Sequence, residues 1–193
     1  MKRDKLTVRE LTTDTWDDFA TVMGDSGGSR GCWCMHWRLT IAAFMEHRGE
    51  GNRRAMRRLA KKTPPPGLIG YLKDDPIAWC ALGPRAAYPR LERSPVVNAV
   101  EDAGACAITC VFVRRSHRRT GLQAALLDAA CAYAAKNGYR LIEGYPIDPR
   151  RGKQAGSDTA MTGIASAFRG AGFQEVARPR ADRPIMRKQL RAG

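Results

Sequence analysis

The densest chemistry in the chain is a basic turn. Arg114-Arg115-Ser116-His117-Arg118-Arg119 puts four arginines and a histidine within six residues, and Thr120-Gly121 follows. Before it lies a nearly continuous apolar run, Ala105 to Val113; after it, Leu122 opens a helical pattern. A turn entering a helix presents unpaired backbone N–H groups and the positive end of the helix dipole. That arrangement attracts anions. Gly121 lets backbone approach a phosphate closely, and Arg118 and Arg119 add charge-assisted hydrogen bonds. His117 reads as a phosphate contact rather than a base. A pyrophosphate-bearing ligand fits this turn. The plain alternative is a solvated basic turn that caps a helix, and charge alone leaves both open.

A second cluster is Cys32-Trp33-Cys34-Met35-His36-Trp37-Arg38. Thiolates and imidazole can bind zinc, but Cys-x-Cys-x-His is tighter than the usual frameworks and no second Cys/His cluster stands nearby. No metal is assigned. A buried apolar plug accounts for the segment without ligand chemistry.

The elements that must carry these residues follow from periodicity. Leu6 to Leu11 alternates as a first strand. Thr13-Asp14-Thr15 offers caps for a helix with Trp16, Phe19, Ala20 and Met23 on one face. Gly24 to Gly31 is a loop. Asn52 caps a helix to about Lys62, with Ala55, Met56, Leu59 and Ala60 buried and two basic stripes outside: Arg53, Arg57, Lys61 and Arg54, Arg58, Lys62. Pro64-Pro65-Pro66-Gly67 ends it. Leu68–Lys73 and Ile77–Leu82 form a hairpin, and 84–95 is irregular with one helical turn. The Ala105–Val113 strand is buried on both faces. Leu122, Ala125, Leu126, Ala129 and Tyr133 mark the core face of the next helix, closed by Asn137-Gly138. Tyr139–Tyr145 is a strand, 146–158 a polar loop, and 163–170 a short helix. Phe173–Ala177 and Ile185–Leu190 are the last strands. Strand, turn, helix and strand from 105 to 145 make a parallel βαβ unit. The fold class is α/β, one domain over 1–193 with a mixed central β-sheet flanked by helices.

The 193 residues are 44% hydrophobic, enough for a substantial core without disulfide or metal staples. The longest apolar segment, Leu122 to Ala135, is interrupted by Asp128, and nothing approaches the ~18–20 residues of a membrane span. The start, Met1-Lys2-Arg3-Asp4-Lys5, lacks a signal-peptide pattern. These features predict a cytoplasmic protein with no membrane partner, whose six cysteines are reduced thiols. Thirty-three basic against nineteen acidic residues give +14, so tightly bound partners carry negative charge.

The segment Val111-Phe112-Val113-Arg114-Arg115-Ser116-His117-Arg118-Arg119-Thr120-Gly121-Leu122-Gln123-Ala124-Ala125-Leu126-Leu127 strongly resembles the acetyl-CoA-binding motif of the GNAT N-acetyltransferase superfamily. Its pattern, (Gln/Arg)-x-x-Gly-x-(Gly/Ala), reads here Arg118-Arg119-Thr120-Gly121-Leu122-Gln123, with Gln123 in place of a small residue. Ser166 to Phe173 is similar to the family's late helix and its Gly-Phe entry to a strand, and Arg183 to Lys188 to its terminal strand. Cys32–Met35 and Glu143-Gly144-Tyr145-Pro146 are similar to a bacterial branch of that superfamily.

The resemblance implies a GNAT-like fold with a splayed βαβ cofactor-binding unit, acetyl-CoA as co-substrate, and direct acetyl transfer to an amine. The pantetheine arm would pair with strand backbone at Val111 to Val113, including Phe112. Arg118, Arg119, Thr120, Gly121, Leu122 and Gln123 would hold the pyrophosphate. A backbone N–H near Cys110–Val111 would stabilise the oxyanion. An alkyl ammonium, with a pKa of roughly 10, must lose its proton, so a base is wanted. Glu143 is the first candidate, against an ordinary ion-paired role; Glu101, Asp102 and Asp148 are weaker. The family's late-helix tyrosine is matched by Phe168, so Tyr145 is the candidate acid, against a plain strand aromatic. In this fold the segment after the first helix lines the acceptor site, which makes Trp33, His36 and Trp37 candidate substrate contacts. The acceptor is a small-molecule or peptide amine. The basic helix leaves nucleic acid open as a partner, and a non-catalytic CoA- or RNA-binding module is the alternative. Dimers are common in the family.

Overall fold

Seven strands hydrogen-bond in the order β1-β2-β3-β4-β5-β7-β6. The computed structural model describes residues 5–95, 97, 100–101, 104–149, 156 and 160–191. Strand β1 (Leu6–Glu10) pairs antiparallel with β2 (Gly67–Leu72), β2 with β3 (Asp75–Pro84), and β3 with β4 (Cys106–Val113). Strand β4 runs parallel to β5 (Leu141–Gly144), and α5 (Leu122–Lys136) joins them. Strand β7 (Arg183–Gln189) lies antiparallel to β5 and to β6 (Gln174–Arg180). The fold is the mixed α/β sheet that the patterning predicts.

Helices cover both faces. On one, α5 and α6 (Ala165–Gly170) pack Leu126, Leu127, Ala130 and Phe168 against Ile77, Cys80, Ile108 and Val111. On the other, α1 (Trp16–Met23) and α3 (Glu50–Leu59) place Trp16, Phe19 and Met56 over Ile69, Trp79 and Ala81. A smaller cluster joins α4 (Pro89–Glu92) to β4, β5 and β7 through Tyr88, Leu91, Ala107, Tyr145 and Ile185.

Local departures from the sequence reading have physical causes. Helix α3 starts at Glu50 behind Gly49, whose φ of +81° suits glycine. Asn52 is therefore no cap; it is fully buried inside the helix and donates to the carbonyls of Gly31 and Phe44. Lys61 and Lys62 fall beyond the helix end. Helix α2 (Ile41–Glu46) has no buried residue, so its periodicity carries no core signal. The buried face of α5 is Leu126, Leu127, Ala130, Cys131 and Ala134, rotated from the expected face because this helix is apolar on almost every side. Strand β5 is shorter than expected, from Leu141 to Gly144.

The feature that positions the site is a bulge in β4. Ala81 pairs with Cys110 and Leu82 with Ile108, leaving Thr109 as an extra residue. Bulges bend a strand and strengthen its twist. Strand β5 matches β4 only at 106–108. From Thr109 onward the two strands diverge. Phe168 fills the base of the wedge: a Cβ at Gly144 would lie 2.1 Å from its ring, and one at Gly163 2.6 Å.

Candidate active site

The basic turn folds back on the free end of β4. Arg115–His117 forms one turn of 3-10 helix, and Gly121 enters α5 with φ +82°. No side chain caps the first turn of α5, and nothing stands within 4 Å of where a Gly121 Cβ would sit. The chain is therefore open at Gly121, where α5 starts, and a helix N-terminus of this kind favours an anion. Arg118 Nε donates to the Val113 carbonyl at 2.9 Å, and its guanidinium lies 5.7 Å from the Phe112 ring centroid. Thr120 donates to the His117 carbonyl at 2.7 Å. Arg119 adopts φ +65°, and Leu122 packs on the α5 core. Arg114 is spent on structure, paired with Asp75 at 2.8 Å.

Gln123 spans the gap. Its amide nitrogen lies 3.4 Å from the Val111 carbonyl, and its oxygen accepts from the Ile164 amide at 3.3 Å. The carbonyls of Val111 and Val113 are therefore both held by side chains, from Gln123 and Arg118 respectively. Val111, Phe112, Val113 and the 118–123 turn form one constellation around the splay.

Beside it opens a cavity of about 510 Å³. Its lining includes Thr109 and Cys110, the first residues of β4 past its pairing with β5. Further wall comes from Tyr145, from Met161 and Thr162, and from Trp37, Phe44, Met45 and Val97. Arg30, Arg48, Arg180 and Arg183 also line it, and no carboxylate does among the described residues. Arg183 is half-buried, and its Nη1 donates to Thr162 Oγ1 at 3.0 Å. Burial, with Arg180 nearby, pulls its pKa below the usual guanidinium value against the opposing effect of Asp182. Arg180 lies 3.7 Å from the Asp182 carboxylate.

Of the expected substrate contacts, His36 and Trp37 line this cavity. Trp33 does not. It is buried, stacked on Trp16 with centroids 6.3 Å apart, and belongs to the α1–α3 core. His36 is neutral: burial first, then Arg90, lower its pKa to about 4. Arg90 Nη1 stands 3.2 Å from His36 Nδ1. A guanidinium only donates, so Nδ1 accepts and the ring proton sits on Nε2. His36 thus carries its ring donor on Nε2.

Strand alternation points Glu143 and Tyr145 to one face of β5, away from α5. Glu143 is fully buried and does not line the cavity. Arg85, in the 3-10 turn after β3, and Tyr145 both donate to its Oε1, Tyr145 at 2.5 Å. Arg187 Nε donates to Oε2 at 2.5 Å. Arg85 also donates to the Tyr145 hydroxyl at 3.1 Å. Burial, then the Glu143 carboxylate, drive the Tyr145 pKa up, so the phenol stays protonated. Glu143 is a buried hub between two guanidiniums, with both oxygens occupied. The weaker acidic candidates sit elsewhere: the Glu101 carbonyl accepts from Arg187, Asp148 is paired with Arg169 and Arg178, and Asp102 lies outside the described residues.

No cluster of three or more His, Cys, Asp or Glu that could hold a metal ion occurs among the described residues. All six cysteines are free thiols. Burial, then Cys34, push Cys32 up to about 11, so it is a poor nucleophile at neutral pH. No helix among the described residues is long and apolar enough to cross a membrane. On α3, Arg53 and Arg57 lie over the Trp33 and Trp16 rings at 5.3 and 5.6 Å, and Arg53 and Arg54 approach Glu50. The four cavity arginines had no motif to announce them; they come from a glycine-rich loop, the segment after α2, and both sides of the β6–β7 turn.

The sequence profile of the acetyltransferase (GNAT) family matches residues 33–146. No curated protein matches the chain. The fold is similar to those of many solved structures, three of which follow. One is an acetyltransferase from Thermus thermophilus, 14% identical, TM-score 0.55, covering 98% of this chain and 100% of that one. Another is a GNAT-family acetyltransferase from Bacillus cereus, 11% identical, TM-score 0.53, covering 96% and 98%. The third is the PaiA N-acetyltransferase of Thermoplasma acidophilum in complex with coenzyme A, 12% identical, TM-score 0.54, covering 96% and 99%.

Proposed function

The chain belongs to the acetyltransferase (GNAT) family, and from that premise we propose that it is an acetyl-CoA-dependent N-acetyltransferase acting by direct transfer. The observation that carries this reading is the divergence of β4 and β5 at the Thr109 bulge. It has an uncapped helix N-terminus on one side and an acceptor-sized cavity on the other. Acetyl-CoA, when bound, would supply an activated acetyl group: its thioester C–S bond is exchanged for a C–N bond to a neutral amine, the amine's surplus proton passes to solvent, and the departing thiolate takes one back from solvent.

The α5 amides, Gly121, Arg118 and Arg119 would hold the pyrophosphate, and the β4 edge from Val111 to Val113 the pantetheine. Tyr145 would meet the acceptor. Its hydroxyl donates a hydrogen bond to Glu143 and accepts one from Arg85, which leaves one lone pair for an amine N–H. Glu143 and Arg85 then act as positioning residues for that ring. The cavity wall has no described carboxylate to take a proton. Its arginines serve deprotonation another way, since nearby like charge disfavours an ammonium. A thiol pKa near 8.5 lets the sulfur leave without a dedicated acid.

The test uses two matched variants. Asp and Asn both tolerate the left-handed backbone at Gly121 and differ only in charge. Acetyl-CoA at about 100 times Kd stabilises by about 2.7 kcal/mol, a rise of about 5–11 °C for a chain of this size. Gly121→Asn keeps the rise and Gly121→Asp abolishes it. A wild-type melting temperature indifferent to acetyl-CoA refutes the reading.

A further inference from the structure

The cavity beside the splay has the charge of an anion site and the walls of an apolar one. Four arginines line it, Arg30, Arg48, Arg180 and Arg183, and no described carboxylate does. One, Arg183, is half-buried and braced on Thr162 at 3.0 Å. Carboxylates are where guanidiniums form their strongest, two-point hydrogen bonds. His36 adds a neutral ring whose free N–H sits on Nε2, because Arg90 faces its Nδ1. The rest of the wall is apolar: Trp37, Phe44, Met45, Val97 and Met161. At about 510 Å³, the space falls in the range of small-molecule pockets.

Resting on the acyltransferase reading above, we propose that the acceptor is an amino-acid-class molecule: an amine with a carboxylate on an apolar or aromatic body. Arg183 is its principal carboxylate partner, the rim arginines draw it in, and Trp37 and Phe44 flank the body. A polycation meets the opposite field. Guanidiniums in the wall disfavour a second positive charge, with Asp182 offsetting Arg180 in part. A zwitterion reconciles two demands: its carboxylate satisfies the arginines, and the same arginines favour loss of its ammonium proton.

The experiment follows thiol release at saturating acetyl-CoA. Apolar and aromatic amino acids are each compared with their amide and their decarboxylated amine, with spermidine as the cationic acceptor. The amide is the demanding control. Its amine resembles a peptide N-terminus, with a pKa of about 7.7–8.0, so it is the more deprotonated nucleophile near neutrality. The expected result is that at least one free acid beats its amide and its decarboxylated amine by about tenfold in kcat/KM, the effect of one charged hydrogen bond. Arg183→Gln raises the KM for that acid about tenfold and leaves the acetyl-CoA melting shift intact; Arg48→Gln, on the exposed rim, gives a smaller rise and guards against misfolding at Arg183. Preference for spermidine or for decarboxylated amines overturns the proposal. So does the absence of any acid acceptor in a protein that still shows the acetyl-CoA shift; absence of that shift instead removes the acyltransferase reading.

Discussion

Replacing Glu143 by glutamine separates a base from a hub. Glu143 is fully buried, Arg85 is 4% exposed and Arg187 18%. Glutamine keeps the shape and one acceptor oxygen but removes the carboxylate that bridges both guanidiniums. Breaking a buried ion pair by deleting one partner costs about 3–5 kcal/mol, because the remaining charge stays desolvated. The retained amide places Glu143→Gln at the low end, about 3 kcal/mol. At about 2–4 °C per kcal/mol for this size, the melting temperature falls by about 6–12 °C. Calorimetric or circular-dichroism melts read this directly, alongside kcat and KM below the melting range. Because Tyr145 donates to Glu143 at 2.5 Å, the acceptor KM rises with the lost anchor while the acetyl-CoA KM holds. A variant that melts within about 2 °C of wild type, yet loses about 100-fold or more in kcat with an altered pH profile, refutes the reasoning and makes Glu143 the base.

Two further outcomes are expected. His36 has its pKa lowered from 6.5 to about 4 by burial. Its stabilising contribution is therefore full above about pH 6.5 and is lost as pH falls towards 4, where the unfolded chain takes up the proton first; urea titrations across this window should show a loss that His36→Asn removes, and an unchanged slope would contradict it. Gln123 occupies the Val111 carbonyl, which a pantetheine arm would need. Gln123→Ala should therefore bind acetyl-CoA about fivefold more tightly, the worth of one net hydrogen bond of about 1 kcal/mol, as read by calorimetry; weaker binding would make Gln123 a ligand instead.

The parts of this protein that can be read from the chain alone are those whose signals are local. The apolar β4 run, the basic turn, Gly121 and the α5 pattern lie contiguous in the chain, so the strand–turn–helix unit is legible from the order of residues. So are the hairpin and the parallel crossover, which follow from turn chemistry and handedness. Features that depend on distant partners emerge only in three dimensions. Alternation alone leaves open whether Glu143 meets solvent or Arg85 and Arg187, which come from 58 and 44 residues away. Trp33 sits in the same heptad of sequence as His36 and Trp37, yet its φ of +46° sends it into the core while they line the cavity. The buried face of α5 is ambiguous in sequence because nearly every face of it is apolar. The four cavity arginines converge from separated loops and strands; no spacing encodes them, since Arg30 and Arg48 come from the segments around α2 and Arg180 and Arg183 from the β6–β7 hairpin that pairs with β5 through β7. Local chemistry is written in neighbouring residues, whereas the cavity's walls exist only once distant segments have packed around it.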